Sequence, residues 1–256
     1  LGLTKSNWKV DGKTKEQIEK ERQEAVDRQN PLMDKKYTIE YSFDDGGVLD
    51  LKVADILEKY GLFATFYIIV DKIGKEGFLT WEQVRELEKR GHIIGSHTVT
   101  HPSDLKVLYD EPLHYEIQNS KDMIEAVLGH SISKFCYPRG RYDDRVKAFV
   151  AKVGYVEARV TGKPGISVIK DKLAIPGTIH IFDRYEYGQQ TVVEFAKSTI
   201  DRVKKEGGYI NVWGHSTELE RDHLWGVLEE VLDYASKAIN NGKTLCIKCH
   251  DLKEKK

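Results

Sequence analysis

From Lys36 onward, short apolar runs alternate with longer stretches whose apolar positions recur every three or four residues. The runs at 37–43, 64–70, 92–96, 133–137, 155–160, 178–182, 209–213 and 244–248 read as strands. The periodic stretches over 48–60, 81–90, 112–128, 144–153, 191–205 and 219–240 read as helices. Such alternation predicts a parallel sheet with helices packed outside it, and its seven or eight repeats predict a closed barrel rather than an open sheet. The start of the chain differs. Residues 14–24 are strong helix formers with few apolar anchors, which predicts an exposed, charged helix stopped by Pro31. The expected organisation is a helical extension over residues 1–36 and a barrel domain over 37–256, without internal repeats.

Composition narrows the partners. A chain of 256 residues suits one (β/α) barrel. The net charge of −1, with acids and bases mixed along the chain, leaves no basic block as a nucleic-acid footprint. No apolar run approaches the roughly 18 residues of a membrane span. Three cysteines, at 136, 246 and 249, are too few for a disulfide scaffold. The compartment stays open: the cytoplasm on the chain as it stands, secretion if a leader was removed before Leu1. Oligomeric state is not specified by this pattern.

Four polar motifs fall where a predicted strand gives way to a loop, the end at which barrels carry their reactive groups. In Ser42-Phe43-Asp44-Asp45-Gly46, adjacent carboxylates point in different directions, so one can face a cation and the other a water; the same residues are good turn formers. His97 and His101 can converge on a metal, and Pro102 turns His101 away from helical geometry. With Asp45 they form a two-histidine, one-carboxylate set, which suits zinc, cobalt, nickel or iron better than calcium or magnesium. Arg139, Arg141 and Tyr142 follow Pro138 in an irregular segment able to offer donors to an oxyanion or a carboxylate. His215, after the run ending at Trp213 and Gly214, is placed to protonate a leaving group. His92, His114, His130, His180 and His223 are expected to be surface or capping residues. Cys246-Ile247-Lys248-Cys249-His250 matches a haem-attachment pattern, but its alternation suits a final core strand better.

Together these residues resemble the polysaccharide deacetylase family (the NodB-homology domain, carbohydrate esterase family 4) over residues 37–250. The resemblance implies a distorted (β/α)7 barrel and a divalent metal, zinc first, held by Asp45, His97 and His101. It implies Asp44 as catalytic base and His215 as acid, acting to remove N-acetyl groups from an amino-sugar polymer or oligosaccharide. Two departures stand out. Cys136 occupies the position of the family arginine that steers the base, so a guanidinium from Arg139 or Arg141 is the expected replacement, while Arg139 replaces a tyrosine whose contribution is main-chain. The family's Asp-x-x-Asp-Trp segment has only Asp171 as a weak counterpart. Two other functions remain compatible with the residues: hydrolysis of a small cyclic amide, as in the imidase or allantoinase-like branch, and carbohydrate binding by a degraded centre.

Overall fold

The computed structural model describes residues 9–10, 13–14 and 37–240. The chain divides into two units, Leu1–Lys36 and Tyr37–Lys256. In the first, Lys9–Val10 pairs antiparallel with Lys13–Thr14. Apart from Thr14, the expected charged helix lies outside the described residues, as do the expected strand at 244–248 and the Cys246–His250 pattern.

Among the described residues, the second unit is built on eight parallel segments: β1 (Tyr37–Asp45), β2 (Thr65–Ile68), β3 (Ile93–Ser96), β4 (Lys134–Cys136), β5 (Glu157–Thr161), β6 (Ile175–Gly177), β7 (Ile179–His180) and β8 (Gly208–Gly214). Their order is β6-β5-β4-β3-β2-β1-β8-β7. The two edges, β6 and β7, are halves of one extended stretch separated only by Thr178. Its first half pairs with β5 and its second with β8, so the sheet closes on itself as a barrel of seven staves. Thr178 fills the break by hydrogen bonding to the main chain of Asn211 on both sides.

Between the strands run α1 (Asp50–Lys59), α2 (Trp81–Lys89), α3 (Asp110–His114), a π-turn over Tyr115–Asn119, α4 (Ser120–Leu128), α5 (Asp144–Lys152) and α6 (Val192–Glu206), and after β8 come α7 (Ser216–Arg221) and α8 (Trp225–Asn240). Capping boxes start α2 at Thr80–Gln83 and α6 at Thr191–Glu194. Two expectations change in detail. The strand predicted over 178–182 starts earlier, at Ile175, because pairing to β5 recruits Ile175–Gly177. The helix predicted over 219–240 is broken before Trp225, where His223 adopts φ 58°.

Each strand sorts its side chains by face. Ile39, Phe43, Phe66, Ile68, Phe135, Ala158, Val160, Ile210 and Val212 are buried in one core with Val53, Leu57, Val84, Leu87, Val146, Ile200 and Leu232 of the helices. The opposite faces meet inside the barrel, and they are polar. Lys134 on β4 reaches Glu40 on β1 at 3.3 Å and Glu157 on β5 at 2.5 Å, and Tyr209 on β8 donates to Glu40 at 2.7 Å. Because β4 and β1 are not neighbours, the Lys134–Glu40 contact crosses the barrel. Further along the same faces, toward the C-terminal strand ends, lie Ser42, Asp44, Cys136, Arg159, Asn211 and Trp213.

Candidate active site

The C-terminal ends of β1 and β3 supply a group of three potential metal ligands. One donor atom from each of Asp45, His97 and His101 lies within 4.8 Å of the others. His97 Nε2 is 3.7 Å from Asp45 Oδ1. The ring of His97 is fixed from behind, for its Nδ1 lies 2.8 Å from the carbonyl of Cys136. A carbonyl can only accept, so Nδ1 carries the proton and Nε2 is left as a lone pair facing Asp45. The loop that delivers His101 is held by Glu116 of the π-turn, which accepts from Val99 N and Thr100 N at 2.9 Å each and from Thr100 Oγ1 at 2.6 Å. The π-turn thus braces the loop that carries His101 into the site, and such turns often lie near functional sites. Asp45, Thr98, His101 and Arg139 all take left-handed backbone angles, with φ between 56° and 79°. Such conformations are costly for residues with a Cβ and persist where surrounding contacts enforce them.

Among the described residues, two other groups satisfy the same proximity, Asp44–His97–Cys136 and His180–His215–Glu218. Their carboxylates are already engaged, by Arg159 and by the two histidines. By contrast, Asp45 Oδ1 is buried without a hydrogen-bond partner. Two imidazole nitrogens and one free carboxylate oxygen form a donor set that fits a first-row divalent ion and leaves positions open.

Asp44 ends the inner face of β1 and is 4% exposed. Its Oδ2 accepts from Arg159 Nη2, and the Cys136 thiol lies 3.8 Å from the same oxygen. Burial pushes the Asp44 carboxyl up, but the charges of Arg159 and His215 together hold it below the usual carboxylate range. The guanidinium expected from Arg139 or Arg141 therefore comes from neither: Arg159 on β5 provides it. Arg141 instead points to the Ser103 carbonyl at 3.3 Å and the Asp104 carboxylate at 4.0 Å. Asp171 is likewise outside the site, paired with Lys147 at 2.9 Å.

His215 caps the entry to α7. Its Nδ1 is 2.6 Å from Glu218 Oε2, and the same oxygen lies 2.9 Å from His180 Nε2. Burial pulls His215 down, but the Glu218 hydrogen bond and the charges of Asp44 and Asp45 raise it to about 9. With Nδ1 donating to Glu218, Nε2 is the nitrogen that can pass a proton. His180 stacks on Trp213, rings 4.1 Å apart and 9° from parallel. Neither His180 nor His92 is a surface residue; His92 is enclosed, accepting from Ala64 N and lying 3.0 Å from Glu58.

These groups surround one cavity of about 170 Å³, lined by Asp44, Asp45, His97, His101, Arg139, Arg159, Trp213 and His215 together with Tyr137, Gly140 and Thr161. Of the oxyanion or substrate residues expected from the sequence, Arg139 is in the wall. Arg141 and Tyr142 are not; Tyr142 stacks on Tyr137 with rings 4.9 Å apart. Arg159, Glu116, Glu218 and His180 join the site without having been expected there from the sequence. Arg159 did leave a signal, a charged residue between Ala158 and Val160 in a predicted strand. Glu218 left a weaker one, three residues past His215.

A family model for polysaccharide deacetylases matches residues 32–158. The Bacillus subtilis protein YxkH is 34% identical over 125 residues, covering 48% of this chain and 44% of YxkH. A Bacillus cereus peptidoglycan-N-acetylglucosamine deacetylase is 29% identical over 188 residues, covering 66% of this chain and 83% of its own. Among solved structures, the Streptococcus pyogenes deacetylase PplD in complex with acetate superposes with a TM-score of 0.55 at 28% identity, over 60% of this chain and 70% of that one. The chain spans about half the length of curated relatives such as YxkH.

Proposed function

We propose, from the premise that this chain belongs to the polysaccharide deacetylase family, that it is a metal-dependent hydrolase releasing acetate from N-acetylated amino sugars in a glycan. One observation carries the reading: a buried carboxylate, a two-histidine, one-carboxylate ligand set and a protonated histidine face the same small cavity. Asp45, His97 and His101 would hold the cation, zinc first and cobalt, nickel or iron as alternatives. When bound, it would supply Lewis acidity, activating water and polarising an acyl carbonyl.

The rest falls to the chain's own groups. Asp44, held ionised, takes the proton of the attacking water. His215, whose charged form the Glu218 carboxylate favours, gives a proton from Nε2 to the departing amine. Arg139 stands in the wall, where its main-chain N–H is the proposed oxyanion donor. Trp213 and Arg159 form part of the cavity wall. A cavity of about 170 Å³ is smaller than the roughly 300–1,000 Å³ pockets that engulf whole ligands. It suits an acetamido group projecting from a sugar whose ring stays at the mouth. This favours a polymer or oligosaccharide over a small cyclic amide, which would need to enter whole.

The deciding experiment is acetate release from N-acetylglucosamine oligomers by metal-stripped protein, before and after adding zinc, cobalt or nickel. Metal-dependent acetate is the expected result. Absence of acetate from protein carrying one bound metal would reject the glycan reading.

A further inference from the structure

Cys136 on β4 and Arg159 on β5 are register partners. Their side chains leave adjacent strands at one height and on the same inner face of the barrel. From there Arg159 Nη2 pairs with Asp44 Oδ2 on β1, and Cys136 Sγ lies 3.0 Å from that nitrogen. Both members of the ion pair are 4% exposed. The guanidinium is flanked by aromatic rings, with its carbon 4.8 Å from Trp213 and 5.6 Å from Tyr67. Gly177 opens the space at its edge, since a Cβ there would stand 2.8 Å from Nη1. Position 136 thus holds a small side chain against the space that the arginine of the next strand fills.

We propose that Arg159 is the positioning residue for Asp44, a guanidinium delivered from β5 in place of one from position 136, which Cys136 keeps small enough to admit. The inference rests on the reading of Asp44 as the base. Its geometric content is a division of the two carboxylate oxygens. Oδ2 is taken by Arg159 and faces the thiol, whereas Oδ1 is buried with no protein partner and is the oxygen left for water. A planar guanidinium flanked by the Trp213 and Tyr67 rings fixes that orientation; an ammonium on a flexible stem would supply charge without direction.

The test follows two reactions of zinc-loaded protein: acetate release from an N-acetylglucosamine oligomer, and hydrolysis of 4-nitrophenyl acetate, which reports water activation whatever the natural substrate. For Arg159→Met, kcat on both falls by about 100-fold, the scale of a misplaced catalytic group, while KM and bound zinc stay unchanged. Arg159→Lys remains impaired. The exchange variant Cys136→Arg/Arg159→Ala, which roots the guanidinium on β4, regains at least about tenfold over Arg159→Met. Wild-type kcat in Arg159→Met, or a folded, zinc-loaded exchange variant no better than Arg159→Met, overturns the proposal. Should Arg159→Met fail to fold, a folded and active exchange variant supports the proposal and an inactive or unfolded one overturns it. Wild-type protein that splits the ester but releases no acetate from the oligomer counts against the glycan reading alone; inactivity on both removes Asp44 as base, and this inference with it.

Discussion

Glu218→Gln isolates one charge in the proposed acid. The substitution keeps the shape of the side chain and an oxygen able to accept from His215 Nδ1 and His180 Nε2, now 2.6 and 2.9 Å away. It removes the anion that favours the imidazolium. His215 stands at about 9 against an ordinary 6.5; the gap is worth about 3.4 kcal/mol of preference for the charged form, at about 1.36 kcal/mol per pH unit. Burial opposes that preference, and Glu218 leads the groups that create it. A single opposite charge at hydrogen-bonding range accounts for roughly one and a half units, which moves His215 to about 7.5 in the variant. The protonated fraction at pH 8 then drops from about 0.9 to about 0.25, and near pH 6 it barely changes. The alkaline limb of kcat/KM therefore shifts to lower pH, with about a fourfold loss one unit below the wild-type limb and almost none three units below it. A metal beside Asp45 lowers both proteins' limbs together and leaves the difference between them. The same sign governs stability: the His215 contribution is complete below about 6.5 and is lost as pH rises through about 9. The assay is a pH series of acetate release by wild type and Glu218→Gln at equal zinc loading. Superposable profiles, or a uniform loss at every pH, would refute the assignment of His215 as the proton donor charged by Glu218.

The ligand assignment predicts that Asp45→Ala loses bound zinc and activity together, whereas Asp44→Asn keeps zinc and loses turnover; metal analysis beside acetate release separates the two, and retained turnover in Asp44→Asn would remove it as base. In the barrel interior, Lys134→Met strands Glu40 and Glu157 without their shared cation, so stability at neutral pH falls by about 3–5 kcal/mol in chemical denaturation. The Cβ of Gly177→Ala would lie 2.8 Å from Arg159 Nη1 and 2.9 Å from Trp213 Nε1; overpacking of about 1–3 kcal/mol is expected, with kcat reduced and zinc binding intact.

How the site is assembled explains which of its parts were legible beforehand. Asp44, Asp45, His97 and His101 announce themselves because neighbours in sequence remain neighbours at a strand end. Asp-Asp-Gly-Gly tolerates the left-handed turn at Asp45, and Pro102 keeps His101 out of a helix. His215 is legible for the same local reason. Arg159 is different. Its signal, one charge within an apolar strand, shows only that something inside the barrel must pay for it, not that the partner is a carboxylate 115 positions earlier.

The sequence by itself determined the alternation of strands and helices, the barrel it implies, and the residues at the ends of β1, β3 and β8. Periodicity and turn chemistry are properties of short stretches, so they survive without tertiary contacts. Only the folded chain decided that Ile175–His180 splits its pairing between β5 and β8 to close the ring. It also decided that Glu116 braces the histidine loop, that Glu218 joins His180 to His215, and that the guanidinium beside Asp44 comes from Arg159 and not from Arg139 or Arg141. Each of these depends on strand register and on which inner faces meet across the barrel. Register is fixed by the packing of all seven staves at once, so no single stretch of sequence contains it.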